Sequence, residues 1–189
     1  MTACASREDI IIEAWETYPK QTIRNRCFIM GPNGQQMLSV PISKPHGNHT
    51  KTKDIRISHH LPWQANHWRS IETAYNKSPF LLYYANYFYP FFEQPFDHLL
   101  DFNDRLLETL MMILRIDKEW RYSTRYEASQ PNQADQRVSK KSPPPSTRFP
   151  EYQQVFSTNH GFLSDLSVID LICNLGPDAG DYIRGLNTK

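Results

Sequence analysis

RNRCFIMGPNGQQMLSVPI, residues 24–42, decides how this chain is read. Two runs of strand-forming residues flank Pro32-Asn33-Gly34, and an Asn-Gly pair between such runs predicts a β-hairpin. Asn33 and Gly34 are expected to supply the positive-φ positions of its turn. On a strand, residues two apart share a face, so Arg24 and Arg26 are predicted to point the same way. Two co-facial guanidiniums, with the Asn25 amide between them and Lys20 just upstream, suit the oxygens of a phosphate or carboxylate, which Arg binds bidentately.

Working outward, Ile10-Ile11-Ile12 reads as a short buried strand ending near Trp15. SKPHGNHTKTK, residues 43–53, is polar and basic and is expected to be an exposed loop, with DIRIS beyond it as another strand. Helical spacing begins at Pro62, where Trp63, His67, Ile71, Ala74 and Tyr75 share one face up to Pro79. A second, aromatic helix is predicted over Phe80 to Tyr89. A third is expected to open at Pro95 and run to Leu114 on a three- and four-residue apolar repeat. WRYSTRY, residues 120–126, and YQQVF, residues 152–156, read as strands. LSVIDLICNLG reads as a helix closed by Gly176, and a short one follows from Pro177. Residues 129–148 contain no aromatic residue and four prolines. Such a segment cannot bury enough surface to offset its ordering, so it is expected to be a mobile insertion within one domain spanning 1–189. The fold class that follows is mixed α/β: one small twisted sheet with the hairpin, covered by an aromatic-rich helical layer.

Composition narrows the function classes. Lys plus Arg number 21 and Asp plus Glu 20 among 189 residues, which argues against a dedicated nucleic-acid binder. That balance is an average. Between Lys20 and Lys77 nine basic residues face only Asp54 and Glu72, a local charge of +7. Aromatics concentrate beside this block, with 13 of the 24 between residues 63 and 102. Most are expected in the core, while Trp63 and Tyr75 border the basic stretch and are predicted to shape a pocket. Five of the seven histidines, His46, His49, His59, His60 and His67, also lie there. None has the spacing of a metal-binding pair, so no metal or other cofactor is expected. His67 is the preferred catalytic acid or base, because imidazole titrates near neutrality. Cys4, Cys27 and Cys173 are odd in number and far apart, which predicts no disulfide framework. The strand alternation that unites the arginines turns Cys27 away from them, against a thiol nucleophile. No signal peptide or membrane span is read, so the cytoplasm is the expected compartment.

YPKQTIRNRCFIMGPNGQQMLSVPI resembles the WbqC-like family's "K…RNR…NG…L(T/S)VP(I/V)" segment. PWQANHWRSIETAYNKSPFLLYY resembles its "W…H…I…Y…PF…YY", and YQQVF…LSVIDLICNLGPDA its closing stretch, in the compact Bacteroidetes-type form. The resemblance carries over Lys20, Arg24, Asn25, Arg26, Trp63, His67 and Tyr75 by position. It implies a place in surface-polysaccharide (O-antigen-type) biosynthesis and an acyl or aminoacyl (glycyl) transfer. In that reading Lys20, Arg24 and Arg26 bind an anionic small molecule or nucleotide-sugar, and His67 takes a proton from the attacking amine or hydroxyl. The rival is a non-catalytic module holding an anion or a protein partner on the same basic face. Family members also carry a strand and a Pro/Tyr turn ahead of the segment matched by DIIIEAW, so the first strand here is expected to lack its sheet neighbour.

Overall fold

The computed structural model describes residues 10–20, 22–126 and 149–186. The insertion predicted at 129–148 lies outside them. Short strands lead the described chain and helices follow, with one strand between them, in a mixed α/β arrangement, as the pattern predicts. Among the described residues, however, the strands form three two-stranded ladders rather than one sheet.

β1 (Ile10–Ile12) pairs in parallel with β6 (Trp120–Tyr122), so the first strand does have a neighbour, and it comes from the far end of the chain. It is not the buried strand expected: Ile11 is 45% exposed, as befits a lone two-stranded ribbon. β2 (Arg26–Gly31) and β3 (Gly34–Ser39) make the predicted antiparallel hairpin. Its turn differs in detail. The Pro32 ring imposes a negative φ, and the only positive φ in the turn is at Gly34 (φ 96°), not at Asn33. β4 (Ile42–Ser43) pairs with β5 (Arg56–Ile57).

The segment between β4 and β5 is not a free loop. Two 3-10 turns, Gly47–His49 and Thr52–Asp54, let its backbone dock on the chain after β1. Tyr18 N–H donates to Thr50 O at 2.9 Å, and Thr52 N–H to Glu16 O at 3.0 Å. Thr50 and Thr52 are buried as a result.

Four helices cover the ribbons: α1 (Trp63–Tyr75), α2 (Leu81–Phe88), α3 (Pro90–Glu93) and α4 (Leu99–Ile113). α4 starts after His98, not at Pro95, because the residues before it are drawn into an extended edge. Ile57 N–H bonds Asp97 O at 2.9 Å, and Arg56 bridges His98. After a short turn of helix, α5 (Ser157–His160), the chain ends in α6 (Val168–Leu175) and α7 (Ala179–Gly185). Gly176, at φ 56°, closes α6 as predicted.

YQQVF is not a strand. Gln154 is fully buried, and its amide exchanges hydrogen bonds with Leu163 (2.9 Å each way) while donating to Asp170 Oδ2 at 2.9 Å. Its backbone instead turns toward α5, with Ser157 N–H on Gln154 O at 3.1 Å.

Two hydrophobic clusters result. The larger gathers Ile29 and Leu38 of the hairpin, Ile71 and Tyr75 of α1, Leu110 and Met111 of α4, and Ile172 of α6. The smaller holds Tyr18, Val40, Ile55, Ile57, Trp63, Phe91, Leu99 and Phe102. α1 and α4 each contribute one end to each cluster, which locks the ribbons to the helical layer. Burying each large apolar side chain contributes about 1.5–3 kcal/mol.

Candidate functional site

The RNR motif sits where the chain turns into β2. Only Arg26 belongs to the strand; Arg24 and Asn25 form a turn, closed by Arg26 N–H on Ile23 O at 3.3 Å. The expectation that both arginines share a strand face is therefore corrected. Thr22 Oγ1 accepts from Arg24 N–H at 3.2 Å, one of the local bonds by which Thr competes with regular structure. Asn25 is an anchor: its Nδ2 donates to Val40 O at 2.9 Å, and its carbonyl accepts Val40 N–H at 2.8 Å. From α4, Asn103 Nδ2 donates to Arg24 O at 2.9 Å. The turn is thus clamped to the end of β3 and to α4.

Tyr18 lies near enough to both arginines to feel their charge. Its ring is buried in the smaller cluster, only 4% exposed, with Lys44 Nζ 5.2 Å from the ring centroid. Burial pushes the phenol up to about 12, against the pull of Arg24 and Arg26, so Tyr18 remains a hydrogen-bond donor at neutral pH. Arg24 Nη2 pairs with Glu16. Three donors nevertheless have no acceptor: the Tyr18 hydroxyl, Arg24 Nη1 and Arg26 Nε are all buried and unpartnered. Leaving a buried polar group unsatisfied costs about 1–3 kcal/mol, more for a charged one. Tyr18 and Arg24, but not Arg26, also line a cavity of about 170 Å³ that is walled by Glu13, Asn103, Asp104 and Tyr122 and by aliphatic side chains such as Leu99 and Leu107.

Trp63 and His67, one turn apart on α1, meet edge-to-face with ring centroids 5.2 Å apart, and Phe102 and Phe92 pack around them. Burial lowers the His67 pKa, opposed by a bond to the Ser39 carbonyl. With one N–H held there, the other ring nitrogen is an acceptor. Ser39 is the cross-strand partner of Arg26, so His67 and Arg26 both meet the end of the hairpin. Arg26 nevertheless lies on the ribbon face opposite Leu38, whose side chain joins the core with α1. His67 does not line the cavity. Trp63 shares the smaller cluster with Tyr18, and its indole Nε1 is another buried donor without an acceptor.

Other predicted positions separate from this region. Tyr75 is fully buried in the larger cluster, where its hydroxyl accepts Met30 N–H at 3.4 Å and faces Asp170. Lys20 is exposed two residues beyond Tyr18. His59 Nε2 bonds Phe96 O at 3.0 Å and His60 Nδ1 bonds Ser58 Oγ at 2.5 Å, so both have local structural partners. Among the described residues no group of three or more His, Cys, Asp or Glu side chains is placed to hold a metal ion. Burial pushes the Cys27 thiol up, which suits a packing residue. Sequence reasoning missed Tyr18 and Lys44. The signal for Tyr18 lay in the YPK that precedes RNR, where only the lysine was weighed.

The family model described as the WbqC-like protein family matches residues 1–142, a stretch that includes all six strands and the whole clamped turn. This chain belongs to the WbqC-like family. A WbqC-like chain is also similar to a protein of Mycobacterium tuberculosis named "Uncharacterized protein Rv1507c", 26% identical over 207 residues. That similarity covers 94% of this chain and 88% of the relative. No solved structure matches. Among the described residues of this WbqC-like protein, no helix is long and apolar enough to cross a membrane.

Proposed function

We propose that this WbqC-like protein binds an anionic ligand, the phosphate of a nucleotide-sugar or related metabolite, at the Tyr18–Arg24–Arg26 turn. One observation carries the reading: three buried donors on and beside this turn, the Tyr18 hydroxyl, Arg24 Nη1 and Arg26 Nε, have no acceptor. Natural structures seldom leave buried polar groups unpaired, and the oxygens of an anion would supply the acceptors these donors lack. Cations that are already desolvated bind an anion more strongly than exposed ones. Lys44 adds a further positive charge over the Tyr18 ring, and Glu16 offsets one.

A second reading adds catalysis, an acyl or aminoacyl transfer in surface-polysaccharide biosynthesis. It is favoured by the neutral His67, whose tautomer the Ser39 carbonyl fixes so that its other nitrogen accepts a proton. In that chemistry the arginines neutralise the phosphate, and His67 takes the proton of an attacking amine or hydroxyl. Because His67 lies outside the cavity, an acceptor would have to approach from the α1 side of the hairpin.

A thermal-shift panel of nucleotide-sugars, acyl carriers and simple anions, on wild type and an Arg24→Gln/Arg26→Gln double variant, tests the first reading. Stabilisation by phosphate-bearing compounds that vanishes in the double variant supports it. An unresponsive wild type, or an equal response in both proteins, overturns it. A His67→Gln variant that keeps ligand binding yet loses product formation identifies the second.

A further inference from the structure

The helix that runs from α2 into α3 is apolar on two sides, and only one of them is covered. Tyr89 keeps helical backbone angles and its N–H bonds Ala85 O at 2.8 Å, so α2 and α3 form one nearly continuous rod. Leu81, Phe88 and Phe91 face inward and are buried. Outward, at steps that share a helix face, stand Leu82, Tyr83, Asn86, Tyr87, Tyr89 and Pro90, all exposed. Leu82 is 85% exposed and Tyr83 74%. A surface helix ordinarily turns charged residues to water, yet no charged residue occurs from Ser78 to Phe92. Contiguous exposed apolar surface of this kind marks a contact.

Charge and area together select a second copy of this chain as the occupant. The polar groups of the stripe, the Asn86 amide and the tyrosine hydroxyls, both donate and accept, so each can pair with its own twin across a two-fold axis. The charges that bound the stripe are opposite. Lys77 precedes α2 and Glu93 ends α3; both are exposed, and neither is in an ion pair among the described residues. Asn86 lies within one residue of their midpoint in sequence. Two rods laid antiparallel across Asn86 bring each Lys77 to the partner's Glu93, whereas a parallel arrangement sets like charges together. An anionic membrane would call for cations along the stripe, and it has none. Scaled by their exposures, Leu82, Tyr83, Tyr87 and Tyr89 present about 500 Å². With Asn86, Pro90 and the charged rim, this approaches the roughly 800 Å² per partner of a standard interface. We infer that the chain forms a symmetric dimer through this face, with Asn86 at the axis and a Lys77–Glu93 pair at each end.

Sedimentation velocity of the full chain over a concentration series tests this. The wild type is expected to pass from the mass of one chain to that of two as concentration rises. Asn86→Lys sets two like charges at the axis and is expected to weaken the dimer about a hundredfold. Leu82→Lys is the second variant and is expected to act in the same direction. Both positions are exposed, so unchanged thermal melts are expected to show that the variants fold. Lys77→Glu replaces two attractions by two repulsions and is expected to weaken the dimer about tenfold at low salt. Lys77→Glu/Glu93→Lys is expected to restore it. A wild type that stays monomeric at every concentration overturns the inference; if it then binds phosphatidylglycerol vesicles and Leu82→Lys does not, the occupant is a membrane. A dimer untouched by both stripe variants overturns it as well, since its interface lies elsewhere. A loss in Lys77→Glu that the double exchange fails to relieve overturns the antiparallel register.

Discussion

Replacing Tyr18 by phenylalanine is expected to stabilise the ligand-free protein. The substitution keeps the ring among Val40, Ile55, Ile57 and Leu99 and keeps a π-face for Lys44. It removes only the hydroxyl, which is buried without a partner. An unsatisfied buried hydroxyl costs about 1–3 kcal/mol. The small void left by the oxygen returns part of that, so the net gain is set at the lower end, about 1 kcal/mol. For a chain of this length that corresponds to a Tm rise of about 2–4 °C. Urea unfolding is the matching assay, with the midpoint shifted and the slope unchanged. In saturating phosphate the gain shrinks or reverses, because the wild-type hydroxyl then has its acceptor and the variant has lost a donor. A variant less stable than wild type by about 1 kcal/mol or more, a typical net hydrogen-bond contribution, would refute the reasoning, since it would mean that the hydroxyl is already paired.

Other perturbations probe the scaffold around the site. Asn103→Ala removes the bond to the Arg24 carbonyl and is expected to cost about 1 kcal/mol in denaturant unfolding, together with weaker phosphate binding through a loosened turn. Burial lowers the His67 pKa from 6.5, so the folded state binds fewer protons than the unfolded chain as pH falls through that value. Its contribution to stability is therefore complete above pH 6.5 and is lost below it; His67→Gln should flatten that part of the stability–pH curve, and an unchanged slope would disprove the assignment. Asp170 has the opposite sign. Burial raises its pKa above 3.8, so wild type should lose stability relative to Asp170→Asn as pH rises through and beyond that value. Gly180→Ala would place a methyl group 2.3 Å from the Leu114 carbonyl oxygen, a backbone atom that cannot step aside. About 1–3 kcal/mol of destabilisation by thermal melt is expected, without loss of phosphate binding at the distant turn.

Much of this architecture was legible because it rests on local patterns. The hairpin, α1, α2 and the Gly176 stop all follow from alternation, helical spacing or a glycine that the chain needs. Errors arose where a long-range partner overrode local preference. β1 looked buried and neighbourless, but a strand more than a hundred residues away supplies its ladder. The first residues after Pro95 look helical, yet Ile57 captures Asp97 as an extended edge. Gln154 sits in a strand-like run, yet its amide is needed by Leu163 and Asp170. The site shows the same division. Arg24 and Arg26 stand out by their spacing and both lie near Tyr18, but a clamped turn rather than a shared strand face places them there. Trp63 and His67, four apart on a helix, share the face that their spacing predicts and touch edge-to-face. Tyr75 follows the same helical spacing, but three turns along α1 carry it into the other cluster. Lys44 had no signal in sequence, because only the folding of the segment after β4 lays it over Tyr18.

The central claim is that an anion completes the donors at the RNR turn, and Arg26 Nε reports on it most directly. In a proton–nitrogen correlation spectrum the Arg26 Nε–H resonance can be assigned by its loss in Arg26→Lys and followed while phosphate is added. A saturable shift of that resonance, moving in step with the amides of Arg24 and Asn25 and abolished by Arg24→Gln, is the predicted result. An Arg26 Nε–H signal that stays in place while phosphate saturates other sites would contradict the account.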